Sequence, residues 1–291
     1  MQEAQNRQFY ERRSIGAHYA SVSALQPGEE EVFRRHRATI AAGRILDLGV
    51  GGGRTTAFLL DMSRNYVGID FSREMIARCR RRFPETRFEV RDAQDLSLFA
   101  DESFDFILFS CTGIDSVGHS ERLNIFSEVR RLLAPDGVFS FSSHNRRFTV
   151  PRPWDLRHFA VNPVREPWRF AKRIVSYPVG ILNYLRLHSD FQSEEYCIRT
   201  DSAHLYSIIH YWIDAAAQKR QLESSGFGQV ELFGADGREL GWADAQRSDD
   251  PWFHYVCKAK RLPQQGTRNA PAGERKSEFA QKAGRQSLLV G

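Results

Sequence analysis

The stretch Ile45-Leu46-Asp47-Leu48-Gly49-Val50-Gly51-Gly52-Gly53-Arg54-Thr55 constrains this chain more than any other. A short, mostly apolar run ends directly in glycines, as a buried strand does when the backbone must turn sharply. Residues 55–64 then read as a helix. A glycine turn between strand and helix lets the backbone approach a ligand, and the first N–H groups of the helix are free to bind it. A dinucleotide site of the nicotinamide or flavin kind needs G-x-G-x-x-G. That frame fails here: from Gly49 and Gly51 the third position is Arg54, and from Gly51 and Gly53 it is Thr56. The spacing is instead Asp-x-Gly-x-Gly-x-Gly, with the acid inside the strand end.

Downstream, strands and helices alternate. Residues 66–69 read as a second strand closed by Asp70, and Ser72 reads as the N-cap of a helix with Met75, Ile76 and Cys79 on one face. Residues 87–90, 104–109 and 137–142 supply the third, fourth and fifth strands. A helix over 121–133 precedes the turn Pro135-Asp136-Gly137. Such alternation implies right-handed crossovers and a mostly parallel sheet. The rhythm breaks over 145–200, which is rich in proline, arginine and aromatics and carries no strand signal. A helix over 213–225 and strands over 229–233 and 252–259 follow, the last two as a closing antiparallel pair. Residues 1–43 read as irregular and helical, with 29–40 the clearest helix.

The formal charge of +5 is regional. Residues 146–173 hold eight basic residues against two acidic, and residues 262–291 hold five against two. The basicity therefore describes one surface and a tail rather than the fold. The four cysteines are scattered and form no CxxC pair, so no metal site is expected, and a reducing cytoplasm is the expected location. The N-terminus is polar and lacks an apolar signal core. Residues 174–187, the longest apolar-leaning stretch, are too few to span a bilayer and include Asn183 and Arg186.

The Asp47 spacing resembles motif I of the class I S-adenosylmethionine-dependent methyltransferases, and the resemblance runs in order over roughly residues 44–142. Phe104-Asp105-Phe106-Ile107-Leu108-Phe109 is similar to the family's fourth strand. Leu132-Leu133-Ala134-Pro135-Asp136-Gly137 is similar to its L-x-P-G-G turn, with Asp136 in place of the first glycine. The resemblance implies an α/β, Rossmann-like, doubly wound sheet, mostly parallel and seven-stranded with one antiparallel strand, plus a helical cap inserted after strand five. The expected domains are an N-terminal helical lid over 1–43, the methyltransferase domain over 44–261 with its cap at about 145–212, and a disordered basic tail over 262–291. The implied cofactor is S-adenosyl-L-methionine. Its implied binding residues are Asp47, Gly49, Gly51, Gly53, Asp70 for the ribose hydroxyls, Phe71 against adenine, Asp92 and Ala93 for the adenine amino group, and Ser110.

Ligands of open α/β sheets sit beyond the carboxyl ends of the strands. With the cofactor on strands one to three, the acceptor falls at the ends of strands four and five. Asp115 and His144 are the candidate catalytic residues there; they also read as an N-cap and a hydrogen-bonded strand-end histidine. Tyr19, His204, Tyr206 and Tyr211 are candidate substrate contacts, while His119 is expected to cap a helix or face solvent. Residues 145–212 are expected to cover the cofactor and to form most of the acceptor pocket, with arginines in its walls. The function this implies is methyl transfer to a hydroxyl or amine of a small molecule or glycan; three readings of the basic cap stay open, an acidic acceptor gripped by its arginines, a lipid-linked acceptor reached by residues 168–187 in peripheral membrane contact, and a solvated surface. An RNA or protein methyltransferase docking through the basic regions stays open, as does a non-catalytic cofactor-binding partner. Nucleic acid is disfavoured, because no RNA-binding module is recognisable. The N-P-P-Y/F signature is likewise absent at Ser110-Cys111-Thr112-Gly113.

Overall fold

The computed structural model describes residues 2–155 and 165–260. Ile45–Leu48 (β1) is buried at every residue, and period two divides its side chains between the sheet's faces. Ile45 packs with Val32, Phe33, Ile40 and Leu59, whereas Leu46 and Leu48 pack with Phe126, Val129 and Phe141. Phe104–Phe109 (β4) divides the same way: Phe106 and Leu108 join the first group, Ile107 and Phe109 the second. A strand buried on both faces needs helices on both, and the chain supplies them. Each large apolar side chain so buried contributes roughly 1.5–3 kcal/mol.

Four helices precede β1: Gln2–Tyr10 (α1), Arg13–Ser21 (α2), Pro27–Arg35 (α3) and Arg37–Ala42 (α4). Pro27 at the first turn and the reciprocal capping of Gln26 and Glu29 fix where α3 begins. Thr56–Met62 (α5) follows β1, and Arg73–Arg82 (α6) follows Tyr66–Asp70 (β2). Ser72 caps α6 by accepting the Met75 N–H, as its sequence position implies. Arg87–Val90 (β3), His119–Leu132 (α7) and Leu133–Asn145 (β5) complete the first half. Asp136 sits at φ +65, so the residue in the glycine position of the turn adopts a glycine-like backbone.

Pro167–Leu187 (α8), Asp190–Gln192 (β6), Tyr196–Thr200 (β7), Ile209–Ile213 (β8), Ala215–Ser224 (α9), Phe227–Phe233 (β9), Trp242–Ala245 (α10) and Trp252–Ala259 (β10) follow. Seven strands run in the order β3-β2-β1-β4-β5-β10-β9, and β10 alone runs against the rest. Three more strands, β8-β7-β6, join this sheet at the carboxyl end of β5, where His144 and Asn145 register with Trp212 and Ile213.

Ten strands are therefore described rather than seven, and the insertion after β5 is not wholly helical. Ile213, expected to open a helix, ends β8, and Asp214 caps α9 by accepting the Ala217 N–H. β8 is buried at every position, so no alternation marks it as a strand. Among the described residues no helix is long and apolar enough to cross a membrane. The basic tail over 262–291 lies outside the described residues.

Candidate active site

The carboxyl ends of β1, β2, β3 and β4 open into one cleft of about 1070 Å³ of empty space, open to solvent. At its floor the β1 loop turns through Gly49 at φ +61, and a Cβ there would come within 2.8 Å of the Phe109 ring. Both the backbone angle and the space demand glycine. Gly51 donates its N–H to Asp70 Oδ2 at 2.9 Å, so the loop is tied to the end of β2. The other oxygen, Oδ1, accepts the Ser72 N–H at 2.8 Å. Burial pushes the Asp70 carboxyl up to about 6 despite these two bonds.

Gly49, Gly51, Asp70, Phe71, Asp92, Ala93 and Ser110, named above from the resemblance, all line the cleft. Asp47 does not. It lies beneath the loop at 1% exposure, where its Oδ2 accepts from Thr55 Oγ1 at 2.7 Å and from Tyr66 Oη at 2.9 Å. Its place is that of an anchor holding the loop and the start of α5 against β2. Gly53, at φ +78, also lies off the cleft wall and packs toward Phe83 and Cys79.

Much of the cleft wall comes from residues the sequence did not single out for it. Glu3, Asn6 and Arg7 of α1 line it, beside Tyr10 and the candidate substrate contact Tyr19. Arg7 pairs with Asp92 and with Glu3, and its guanidinium lies 4.8 Å from the centre of the Phe71 ring. Arg54, the last polar residue of the glycine loop, makes a buried ion pair with Glu29 of α3 and donates to Ser110 Oγ at 2.6 Å. Burial would raise the Glu29 carboxyl, but Arg54, the Gln26 N–H and Ser110 together hold it below the ordinary value. The one available signal was the helical spacing of Gln2, Asn6 and Phe9, which are the buried residues of α1.

The N-terminal helices, not residues 145–212, cover the cleft among the described residues. Arg146 instead binds the Glu194 carbonyl and Gln192, and Arg199 reaches the Arg146 and Phe148 carbonyls. Arg146 thus braces the sheet extension, and no described residue of 145–212 lines the cleft. Tyr19 lines the cleft and its hydroxyl meets His204 Nε2 at 3.0 Å. Tyr206 is buried with its hydroxyl on the Pro151 carbonyl at 2.7 Å. Tyr211 faces α7 and α9, bonded to His119 Nδ1 at 2.8 Å and to Gln221 at 3.3 Å. His119 is thus neither a cap nor solvent-facing, and stacks on Tyr196 at 4.5 Å.

At the end of β5, Asp115 and His144 come together. Asp115 is fully buried and faces Arg122, also fully buried, at 2.6 Å. Its Oδ2 accepts both the backbone N–H of His144 at 2.7 Å and the ring Nδ1–H at 2.8 Å. Burial opposes ionisation, but Arg122 and His144 hold the carboxyl below its ordinary value. Arg122 is in turn bonded by Gln218, Gln221 and Ser143. Asp115 is therefore a fixed anion that orients the imidazole, leaving Nε2 as the free ring nitrogen.

Comparison with known proteins agrees with this geometry. Residues 45–137 match the family described as a methyltransferase domain. A fatty-acid O-methyltransferase of Mycolicibacterium smegmatis is 32% identical over 148 residues, covering 49% of this chain and 50% of that protein. A probable S-adenosylmethionine-dependent methyltransferase of the same organism is 30% identical over 243 residues, 79% of this chain and 88% of the relative. The solved structure of DhpI in complex with SAH superposes with a TM-score of 0.53 at 16% identity, over 89% of this chain and 98% of that one. Against several curated relatives the chain spans only 50–63% of their length. The glycine loop, the acids at the ends of β2 and β3, the strand order and the match over most of a relative's length lead to one family: the chain belongs to the class I S-adenosylmethionine-dependent methyltransferases.

Proposed function

We propose that this chain transfers the methyl group of S-adenosylmethionine to an oxygen or nitrogen of a small molecule. The observation that carries the reading is the half-satisfied Asp70 carboxylate. It is buried and raised to about 6, it holds two backbone N–H groups, one on each oxygen, and it lines the cleft. A vicinal diol supplies the two donors such an acid lacks, so the residues fit the ribose of the cofactor. Phe71 offers an aromatic face beside it, and Asp92 an acceptor for an amino group. When bound, the cofactor supplies an electrophilic methyl on a charged sulfonium. The protein then has to hold the nucleophile in line and exclude water.

For the acceptor we look to the end of β5. We put the acceptor beside His144, which Asp115 holds in position. Tyr10 and Tyr19 form the roof between the cleft and this region, and burial pushes the Tyr10 phenol up to about 12, so it stays a neutral hydrogen-bonding group. The fatty-acid relative supports an oxygen acceptor. A methyl-transfer screen with labelled cofactor tests the reading against small hydroxy acids, fatty acids, amines, sugar nucleotides, RNA and peptides. Label in a small-molecule fraction is the expected result. Label confined to RNA or protein would overturn it.

A further inference from the structure

His144, Asp201 and His210 each offer a ligand atom within 4.8 Å of the other two, and all three residues are buried. They come from three separate elements. His144 is the penultimate residue of β5 and registers with Trp212, His210 lies on β8 two residues before Trp212, and Asp201 directly follows β7. Asp201 Oδ2 is 3.6 Å from His144 Nε2 and 2.9 Å from His210 Nδ1, and the two imidazoles stack at 4.6 Å. Asp201 Oδ1 is already occupied by the Ala203 N–H at 3.0 Å, so it is Oδ2 that faces both rings.

The contact between His144 and Asp201 is incomplete. Asp115 Oδ2 is bonded to His144 Nδ1 at 2.8 Å, which leaves Nε2 as the ring nitrogen that faces the Asp201 carboxylate. At 3.6 Å the two atoms are too far apart for a hydrogen bond and close enough to share a cation. His210 turns Nδ1, not its unpartnered buried Nε2, toward Asp201. A metal with bond lengths near 2.1 Å separates its ligands by roughly 3–3.5 Å, and the observed 2.9 and 3.6 Å bracket that range. The carboxylate behind His144 is the support that metal-bound imidazoles ordinarily have.

We propose that His144, Asp201 and His210 bind a divalent transition-metal cation, held by Asp115 through His144, and that its open coordination position takes an oxygen of the acceptor. Two imidazoles and one carboxylate favour Zn²⁺, Fe²⁺, Co²⁺ or Ni²⁺ over Mg²⁺ or Ca²⁺. None of the three lines the cleft, and the link to it runs through Tyr19, which lines the cleft and bonds His204, three residues beyond Asp201. The ligands lie at 144, 201 and 210, so no local spacing announces them, and the scattered cysteines are not involved. The cation site stands independently of the acceptor assignment. Its role in holding an acceptor oxygen rests on that assignment.

The test is titration of the chelator-stripped full chain with Co²⁺, followed by visible absorption and calorimetry, and repeated with Zn²⁺. One equivalent should bind with micromolar or tighter affinity. Asp201→Asn and His210→Gln should each weaken it at least 10-fold, with the melting temperature of the metal-free variants recorded to confirm folding. His188→Ala, outside the cluster, should leave binding unchanged. No stoichiometric binding, or binding indifferent to both Asp201→Asn and His210→Gln, overturns the site. Stoichiometric binding at these residues, with labelled methyl transfer unaltered by chelation, keeps the site and overturns its use in holding the acceptor.

Discussion

Asn6 pairs with Ile209 as a neighbouring strand would: its Nδ2 donates to the Ile209 carbonyl at 2.7 Å and its Oδ1 accepts the Ile209 N–H at 3.1 Å. One amide side chain thus ties the first helix to the sheet extension 203 residues away. A second bond to the Ser116 carbonyl at 2.9 Å fixes α1 over the mouth of the cleft.

Asn6→Ala should leave the Ile209 N–H buried without a partner and its carbonyl with only the 3.4 Å bond from Gln2 Nε2. A stability loss of about 1–3 kcal/mol is expected from urea unfolding. Cofactor affinity should fall with it, because Glu3, Arg7 and Tyr10 reach the cleft from the same helix. A variant with full affinity and full stability would show that α1 is held by other contacts.

Asp70 sets a pH dependence. Its value of about 6 lies above the ordinary carboxylate range because of burial, with Glu11 adding repulsion and the Ser72 and Gly51 N–H groups opposing. In the free protein, ionising it becomes a cost as pH rises, and the protonated form is the comfortable one. Binding a diol requires the ionised form as acceptor. Affinity for S-adenosylhomocysteine should therefore fall as pH drops below about 6, by up to ~10-fold per unit. Asp70→Asn should bind ~10–100-fold more weakly at neutral pH and show a flat profile. A steep profile surviving in Asp70→Asn would place the titrating group elsewhere.

Glu29 and Arg54 form a buried pair joined to Ser110 at the end of β4. Removing one partner leaves a charge stranded in the interior, so Arg54→Met should cost about 3–5 kcal/mol in urea unfolding. The paired change Glu29→Leu with Arg54→Met should recover much of that loss. Additive losses in the double variant would mean that the two residues act separately.

What the sequence disclosed and what it hid follow the distance over which each feature is determined. The glycine loop, the Ser72 cap and the acids at the ends of β2 and β3 are local features. Backbone sterics and hydrogen bonding within a few residues decide them, and the spacing Asp47 to Gly53 carries that information. Asp47 was legible as a motif residue, but its direction was not. A strand residue's facing depends on which side its neighbours bury, and here Thr55 and Tyr66 claim the carboxylate. β7 and β8 were missed because β8 is buried on both faces and β7 is only five residues long, so neither shows a clean period. The Asn6–Ile209 pairing and the meeting of His144, Asp201 and His210 depend wholly on topology. The arginines of 146–173 read as pocket walls from composition, yet Arg146 turned out to bind backbone carbonyl and amide groups of the extension.

The most direct measurement is calorimetric titration of the full chain with S-adenosylhomocysteine, alongside NAD⁺ as the competing adenosyl ligand. We expect one S-adenosylhomocysteine per chain, weakened at least 10-fold by Asp70→Asn, and no heat with NAD⁺. Binding of NAD⁺, or no binding of S-adenosylhomocysteine by the folded chain, would contradict the assignment of the cleft.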